Sequence, residues 1–408
     1  MKSLAISFLL LVCTLSYAAE RAIYSFKGGS DGSGPVGGMV RDSNGNLYGM
    51  TEYGGTGNCG AGSIAGCGTV FELSPDGHGG WTETVIYSFT GAADGQIPVA
   101  GLILDAHGNL YGTTQGNGVA PNYGSAFELS PGGNGWVITV LHAFRGGTDG
   151  GGVEGPLAMD SGGRLYGTTS FFGPKGRGTT FQLTNTGSSW KLKNIHAFSG
   201  GSDGDQPEGQ LVVGSSGTVY GTTRGGGTCC GVFYSISQSS KGVWVERVLH
   251  AFTGGHDGGT LLYGLSADQQ GNLYGPSPKA PNWGEVFQFS PKPGSKKWNR
   301  KTLYAFRPLG KQGPEDPSGP VVLDSLGNVF GVSSLGGPPG TAGTVYKLTP
   351  DDHWGVSVLY AFPSDSSSGS SPVGQLVLDG DGNVYGATVG GGTGCSNQSC
   401  GLIFEVTP

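Results

Sequence analysis

The chain has 408 residues, of which 83 are Gly and 23 are Pro, and only 12% are charged. Each interior Gly costs a helix up to about 1 kcal/mol relative to Ala, so this composition excludes long helices. A formal net charge of −7 with no Lys/Arg cluster leaves no electrostatic footprint for nucleic acid or an anionic membrane. The first element, residues 1–18 (MKSLAISFLLLVCTLSYA), carries Lys2, a short apolar run from Leu4 to Val12, and small residues at Ser16 and Ala18. This is the pattern of a secretory signal peptide, too short to span a bilayer. Cys13 follows Leu-Leu-Val, a poor match to a lipoprotein box, and no later stretch approaches 18 apolar residues. A secreted chain without a transmembrane segment is expected, with a periplasmic or cell-surface location as alternatives.

From residue 19 onward the sequence repeats itself. A phrase Leu/Val-aromatic-Gly recurs with its ring at Tyr48, Tyr111, Tyr166, Tyr220, Tyr274, Phe330 and Tyr385. A phrase of the type Val-Phe-Glu-Leu recurs at Phe71, Phe127, Phe181, Phe233, Phe287, Tyr346 and Phe404, and a third ends at Phe26, Phe89, Phe144, Phe198, Phe252, Phe306 and Phe362. Each unit reads as four short strands, in the second unit Val99–Leu104, Asn109–Thr114, Ser125–Leu129 and Trp136–Phe144. The first two are joined by a tight turn headed by Asp in six units (Asp42, Asp105, Asp160, Asp268, Asp324, Asp379), with Gly214 breaking the series. That Asp is read as an acceptor of turn N–H groups. Four-stranded units at this spacing predict an all-β, seven-bladed β-propeller over residues 19–408. The chain opens with a lone fourth strand, Arg21–Phe26, and ends on a third strand, Gly401–Thr407, so the N-terminal strand is expected to complete the last blade and close the ring.

Gly38-Met-Val-Arg-Asp42, Gly45-Asn-Leu-Tyr-Gly49 and Gly68-Thr-Val-Phe-Glu-Leu73 resemble the GloVer tandem repeat of exported bacterial proteins with varied C-terminal anchors. The resemblance spans the region after the signal and implies export, often with surface attachment, and no assigned catalytic residues. Pro408 follows the last repeat without a sorting tail, a departure from the anchored pattern.

The fourth-to-first loops carry Gly-Gly-x-Asp-Gly phrases with Asp31, Asp94, Asp149, Asp203 and Asp257, read as turn caps, with a bound cation as the alternative. His142, His196 and His250 align with Tyr24, Tyr87, Tyr304 and Tyr360 on separate outer strands, so they read as packing substitutes and no metal site is expected. After signal removal six cysteines remain, all in second-to-third loops, and the expected disulfides are Cys59–Cys67, Cys395–Cys400 and a vicinal Cys229–Cys230. The same loops present Tyr123 and Trp283 in matched Ala-Pro-Asn phrases, and Phe171-Phe172, rings suited to stacking on sugars.

Charge breaks the repeat most sharply. Glu154 and Glu208 stand where other units have Val36, Val99, Leu262, Ser318 and Val373, while Arg177 and Arg224 enter the loops of the same two units. These residues form the expected ligand site, with paired Arg–Glu bridges as the structural alternative. The functional expectation is a monomeric, non-catalytic, exported propeller that binds a glycan or protein partner on its loop-rich face. The alternative is an extracellular glycoside hydrolase or lyase using Glu154 and Glu208. No cofactor is expected.

Overall fold

The structure is a computed structural model describing residues 19–60, 65–118, 122–278, 283–306, 313–351, 353–364, 368–395 and 399–407. The expected signal peptide, with Cys13, and most of the two Ala-Pro-Asn phrases lie outside the described residues. Strands make up the fold, with one short 3-10 turn at Gly29–Asp31. Among the described residues no helix is long and apolar enough to cross a membrane.

The strands pair into small antiparallel sheets in a propeller arrangement, each sheet drawn from one repeat in chain order. In the second repeat the order is Ile103–Leu104, Leu110–Thr114, Ser125–Gly132 and Gly135–Ala143. Five such sheets stand apart, not seven. The first and last repeats share one eight-stranded sheet, because Gly38 bridges in parallel to Gln375. Gly38 permits this approach, since a Cβ there would lie 2.9 Å from that of Gln375. Ala19–Ser25 pairs antiparallel with Leu402–Thr407 at the outer edge of the same sheet.

The inner strands of the first and last repeats run Ser33–Arg41 and Ser370–Leu378, but those between are shorter than expected. Only Ile103–Leu104 pairs in the second repeat, where Val99–Leu104 was expected. Ile97 is left-handed (φ 58°), Pro98 has no N–H, and the carbonyl of Ala100 packs against Gly37 of the preceding repeat. The segment therefore turns from its own sheet toward its neighbour.

The recurring phrases form one interlocking unit. Gly112 pairs with Phe127 across the second and third strands, and a Cβ on Gly112 would lie 2.5 Å from the Phe127 ring. The same glycine–aromatic contact recurs at Gly49–Phe71, Gly167–Phe181, Gly221–Tyr234, Gly275–Phe287, Gly331–Tyr346 and Gly386–Phe404. In the fourth repeat the partner of Gly221 is Tyr234, so the phrase is one residue later than the Phe233 expected from Val-Phe alone. Each of these rings also meets, in an edge-on or tilted contact, the buried Phe that follows the fourth strand of the preceding repeat. Centroid distances are 5.2 Å for Phe89–Phe127, 5.1 Å for Phe144–Phe181, and 5.1 Å for Phe198–Tyr234. The series includes Phe26–Phe71 at 5.1 Å and Phe362–Phe404 at 5.0 Å. Neighbouring sheets are thus bound by aromatic pairs that add to simple area burial.

The tyrosine of the phrase reads out the turn. Asp105 accepts N–H bonds from His107 (2.8 Å) and Asn109 (2.9 Å), and its second oxygen accepts from Asn109 Nδ2 (2.8 Å) and Tyr111 Oη (3.2 Å). Asp42, Asp160, Asp268, Asp324 and Asp379 repeat the two backbone bonds. Burial alone would push the Asp105, Asp160 and Asp379 carboxyls up, but these hydrogen bonds outweigh it and hold them below the ordinary aspartate value. The sign follows: their stabilisation is complete above the unfolded-chain value of about 3.9 and is lost as pH falls through the lower folded values.

Two outcomes follow. Gly112→Ala should destabilise by roughly 1–3 kcal/mol through overpacking, while Gly133→Ala, with open space at its Cβ, should be neutral in the same denaturant titration. Asp105→Asn should melt below the parent at pH 7, and the gap should close only as pH falls below 4 in scanning calorimetry.

Candidate functional site

The seven aligned inner positions converge. Val36, Val99, Glu154, Glu208, Leu262, Ser318 and Val373 all line one cavity of about 240 Å³. Two residues before each stands a left-handed residue: Gly34, Ile97, Gly152, Gln206, Thr260, Asp316 and Ser371, with φ between 52° and 68°. Five of these are not glycine, a conformation that costs about 1–3 kcal/mol unless its surroundings enforce it. The enforcing contact is a backbone bond to the preceding repeat. Ile97 N donates to Cys67 O (3.1 Å), Gln206 to Arg177 (3.2 Å), Thr260 to Cys230 (2.8 Å) and Asp316 to Trp283 (2.9 Å). Gly34 and Gly152 donate likewise to Cys400 and Tyr123. This latch sets the direction of the strand and brings the residue two positions later to the cavity wall.

On this largely apolar wall the structure places two carboxylates in adjacent repeats. Glu154 accepts from Gln115 Nε2 at 2.6 Å, and Glu208, 8% exposed, lies 3.4 Å from Arg224 Nη1. Burial, then the charge of Glu154, pushes the Glu208 carboxyl up to about 7, and the half-exposed Arg224 offsets this only in part. Gln115 and Arg224 occupy one repeat position, the fourth after Tyr111 and Tyr220, where the last repeat has Val389 at the same cavity. The sequence reading missed Gln115; its alignment with Arg224 was the available signal.

Arg177 departs from expectation. It is not at the repeat position of Arg224 but at the latch acceptor, and its guanidinium reaches Asp205 at 3.4 Å. The structural alternative of paired Arg–Glu bridges is therefore reduced to one bridge, Glu208–Arg224, with Glu154 held by an amide. The latch acceptor position also carries Cys67, Tyr123, Cys230, Trp283 and Cys400, so cysteines, aromatics and Arg177 of the loop face share one place in the repeat. Tyr123 meets Phe172 edge-on at 5.0 Å and is partly covered, whereas Phe171, Phe172 and Trp283 are about 40% exposed.

The three disulfides are Cys59–Cys67, Cys229–Cys230 and Cys395–Cys400. Their sulfurs pack beside left-handed Gly91, Gly254 and Gly28, which open the Asp-bearing loops. In those loops Asp31, Asp94, Asp149, Asp203 and Asp257 each accept the amide four residues earlier, at Lys27, Thr90, Arg145, Ser199 and Thr253. Each carboxylate also faces the outer-strand ring seven residues before it, Tyr24, Tyr87, His142, His196 and His250. The sequence alignment put His in place of Tyr; the shared reason is this Asp. Among the described residues no cluster of three or more His, Cys, Asp or Glu could hold a metal ion.

Repeated four-stranded sheets interlocked around one cavity define a repeat protein of the propeller class. The chain belongs to the Gloeobacter/Verrucomicrobia repeat family, whose model matches residues 12–234, 60–280 and 230–408. No curated protein matches it by sequence. Among solved structures it is similar to a candidate 6-phosphogluconolactonase from Bacteroides uniformis (12% identity, TM-score 0.49), covering 80% of this chain and 86% of that one. It is also similar to a protein of unknown function from Dyadobacter fermentans (12%, TM-score 0.46, 95% and 98% covered). A third likeness is to a candidate oxidoreductase (glucose dehydrogenase) from Thermus thermophilus (14%, TM-score 0.44, 95% and 99% covered). At these levels the likenesses bear on no function of this chain.

Opening Cys59–Cys67 by a double Ser substitution should cost under about 3 kcal/mol, as its closed loop is short. Denaturant titration should give that modest loss with an unchanged m-value, while peptide mapping of the unreduced protein should recover all three pairs.

Proposed function

We propose that the eight-stranded sheet comprises two blades of a seven-bladed ring closed by the N-terminal strand, and that its tunnel mouth binds a polar ligand. Closure is supported by the pairing of Ala19–Ser25 with Leu402–Thr407 and by Phe26, which follows that strand yet packs on Phe71 of the first repeat. Removing residues 19–26 should expose the edge of Leu402–Thr407 and lower the melting temperature by several degrees. An unchanged melting curve refutes closure.

The protein is read as an exported, monomeric, non-catalytic module for a glycan or protein partner. One observation carries this: of seven equivalent cavity positions, only two adjacent ones hold carboxylates, and each has a donor from the loop-face end of a second strand beside it. Charge at such a place has to be paired or hydrated, and a cavity mouth provides both. Carboxylate, amide and guanidinium groups together match the hydroxyls of a sugar, and exposed Phe171, Phe172 and Trp283 offer stacking faces on the loops. The disulfides support an oxidising compartment.

A second reading, a glycoside hydrolase or lyase, is favoured by the carboxyl pair itself. Glu208 titrates near 7 beside a second carboxylate, the separation of roles that acid–base chemistry uses. A glycan array paired with a reducing-end assay on each polymer that binds separates the two. Binding weakened by Glu154→Gln with Glu208→Gln, with no product released, supports the module. Product formation abolished by either single change supports the enzyme. Normal binding by the double variant overturns the site.

A stability measurement tests the electrostatics. The unfolded chain ionises Glu208 near 4.3, well before the folded chain does. Stability from this group is therefore full at low pH and lost as pH rises toward 7. Glu208→Gln should melt above the parent at pH 8, and the difference should shrink toward pH 4.

A further inference from the structure

A second cavity lies on the loop face, away from the carboxylates. It occupies about 510 Å³ between the second-to-third loop of the first repeat and the Asp94 loop of the second. Tyr53, Asn58, Gln96 and Asn117 supply its polar side chains beyond Thr90, and among the described residues no Asp, Glu, Lys, Arg or His lines it. The loop carboxylate nearby, Asp94, is 6% exposed and is occupied by Tyr87, Thr90 and the Ala92 amide.

The walls are built from short-range constraints. Cys59–Cys67 closes one loop, and Gly66 N donates to Cys59 O at 2.7 Å while Gly54 N donates to Ala65 O at 3.0 Å. The opposite wall is held by Gly116 N to Gln96 O (3.0 Å) and by Asn122 Nδ2 to Gly91 O (3.1 Å).

Gln96 is the informative residue. It is 7% exposed and lines the cavity, yet among the described residues its side-chain amide has no hydrogen-bond partner. Its amide atoms are not sealed off, and a donor–acceptor pair open toward a cavity can meet a ligand or water with both functions. Other buried polar atoms without a partner, among them Ser170 Oγ, Asp205 Oδ1 and Glu315 Oε2, lie outside this cavity.

We infer that this groove between the first two repeats is a binding site for an uncharged, hydroxyl-rich ligand, a neutral oligosaccharide. A sugar hydroxyl both donates and accepts, as do the amides of Gln96 and Asn58, and the half-buried Tyr53 ring offers a face for the C–H side of a pyranose. An anionic polymer finds no cation here. A peptide could also meet the amides, but among the described residues its side chains would find no aliphatic side chain beyond Ile97. This site shares no residue with the tunnel mouth and stands or falls separately from it.

The test is isothermal calorimetry of the mature protein with cellohexaose, laminarihexaose, xylohexaose and maltohexaose, with hexagalacturonate and a polar Gly/Ser/Asn hexapeptide for comparison. At least one neutral hexasaccharide is expected to bind, and Gln96→Leu and Tyr53→Ala should each weaken it tenfold or more. Asn58→Ala, on the exposed rim, should weaken it several-fold at an unchanged melting temperature, which keeps the test valid should Gln96→Leu fail to fold. Glu154→Gln with Glu208→Gln should leave this binding intact. The inference is overturned if no neutral hexasaccharide binds, if only hexagalacturonate or the peptide binds, or if binding survives the folded groove variants. Loss of saccharide binding in the tunnel variant alone would move it to the tunnel mouth and equally overturn the groove.

Discussion

The contact on which the rest of this molecule depends is an aromatic ring laid on a glycine. In each repeat the second-strand glycine leaves room for the ring of the third strand, and that ring is also gripped by a buried Phe from the repeat before. A methyl group at the glycine would displace the ring, and the displaced ring would disturb the next sheet. Intra-sheet register and inter-sheet packing are thus one constraint. This explains how a chain with so few charges and so much glycine avoids collapse into an unspecific globule: the specificity lies in which glycines face which rings.

Around the cavity a second constraint takes over. A left-handed residue tied to the preceding repeat recurs whether the residue is Gly, Ile, Gln, Thr or Asp. Neighbour contacts, rather than residue preference, hold the backbone there. The strain of a β-branched Ile97 is tolerated because its N–H and C=O are both engaged, by Cys67 O and Gln115 N.

Much of the fold was legible in the sequence because its phrases encode contacts. Leu-Tyr-Gly carries the core residue, the turn reader and the ring seat; the turn Asp and its Asn partner stand four apart. The cysteine pairs were legible from their placement in matching loops. The exceptions have physical causes. Phe233 was taken for the third-strand ring because Tyr234 also fits the phrase, and only the pairing with Gly221 separates them. Arg177 was grouped with Arg224 because loop lengths differ between repeats and no local pattern marks the latch acceptor. Sheet count escaped because a single Gly38–Gln375 bridge, invisible in any one repeat, joins two sheets. Glu154 and Glu208 were legible as departures from an apolar position, but Gln115 was not, since an isolated Gln at a loop edge is ordinary until Glu154 is seen across from it.

The latch also has an evolutionary reading. Because the neighbour holds the backbone, the residue two positions later does not set its course, and Val, Glu, Leu and Ser occupy it alike. The cavity wall is in effect a set of interchangeable slots around one axis, each reachable by a single codon change. A lineage built on this repeat can rewrite what its cavity recognises without redrawing the backbone, and a designer can do the same by addressing the slots one at a time.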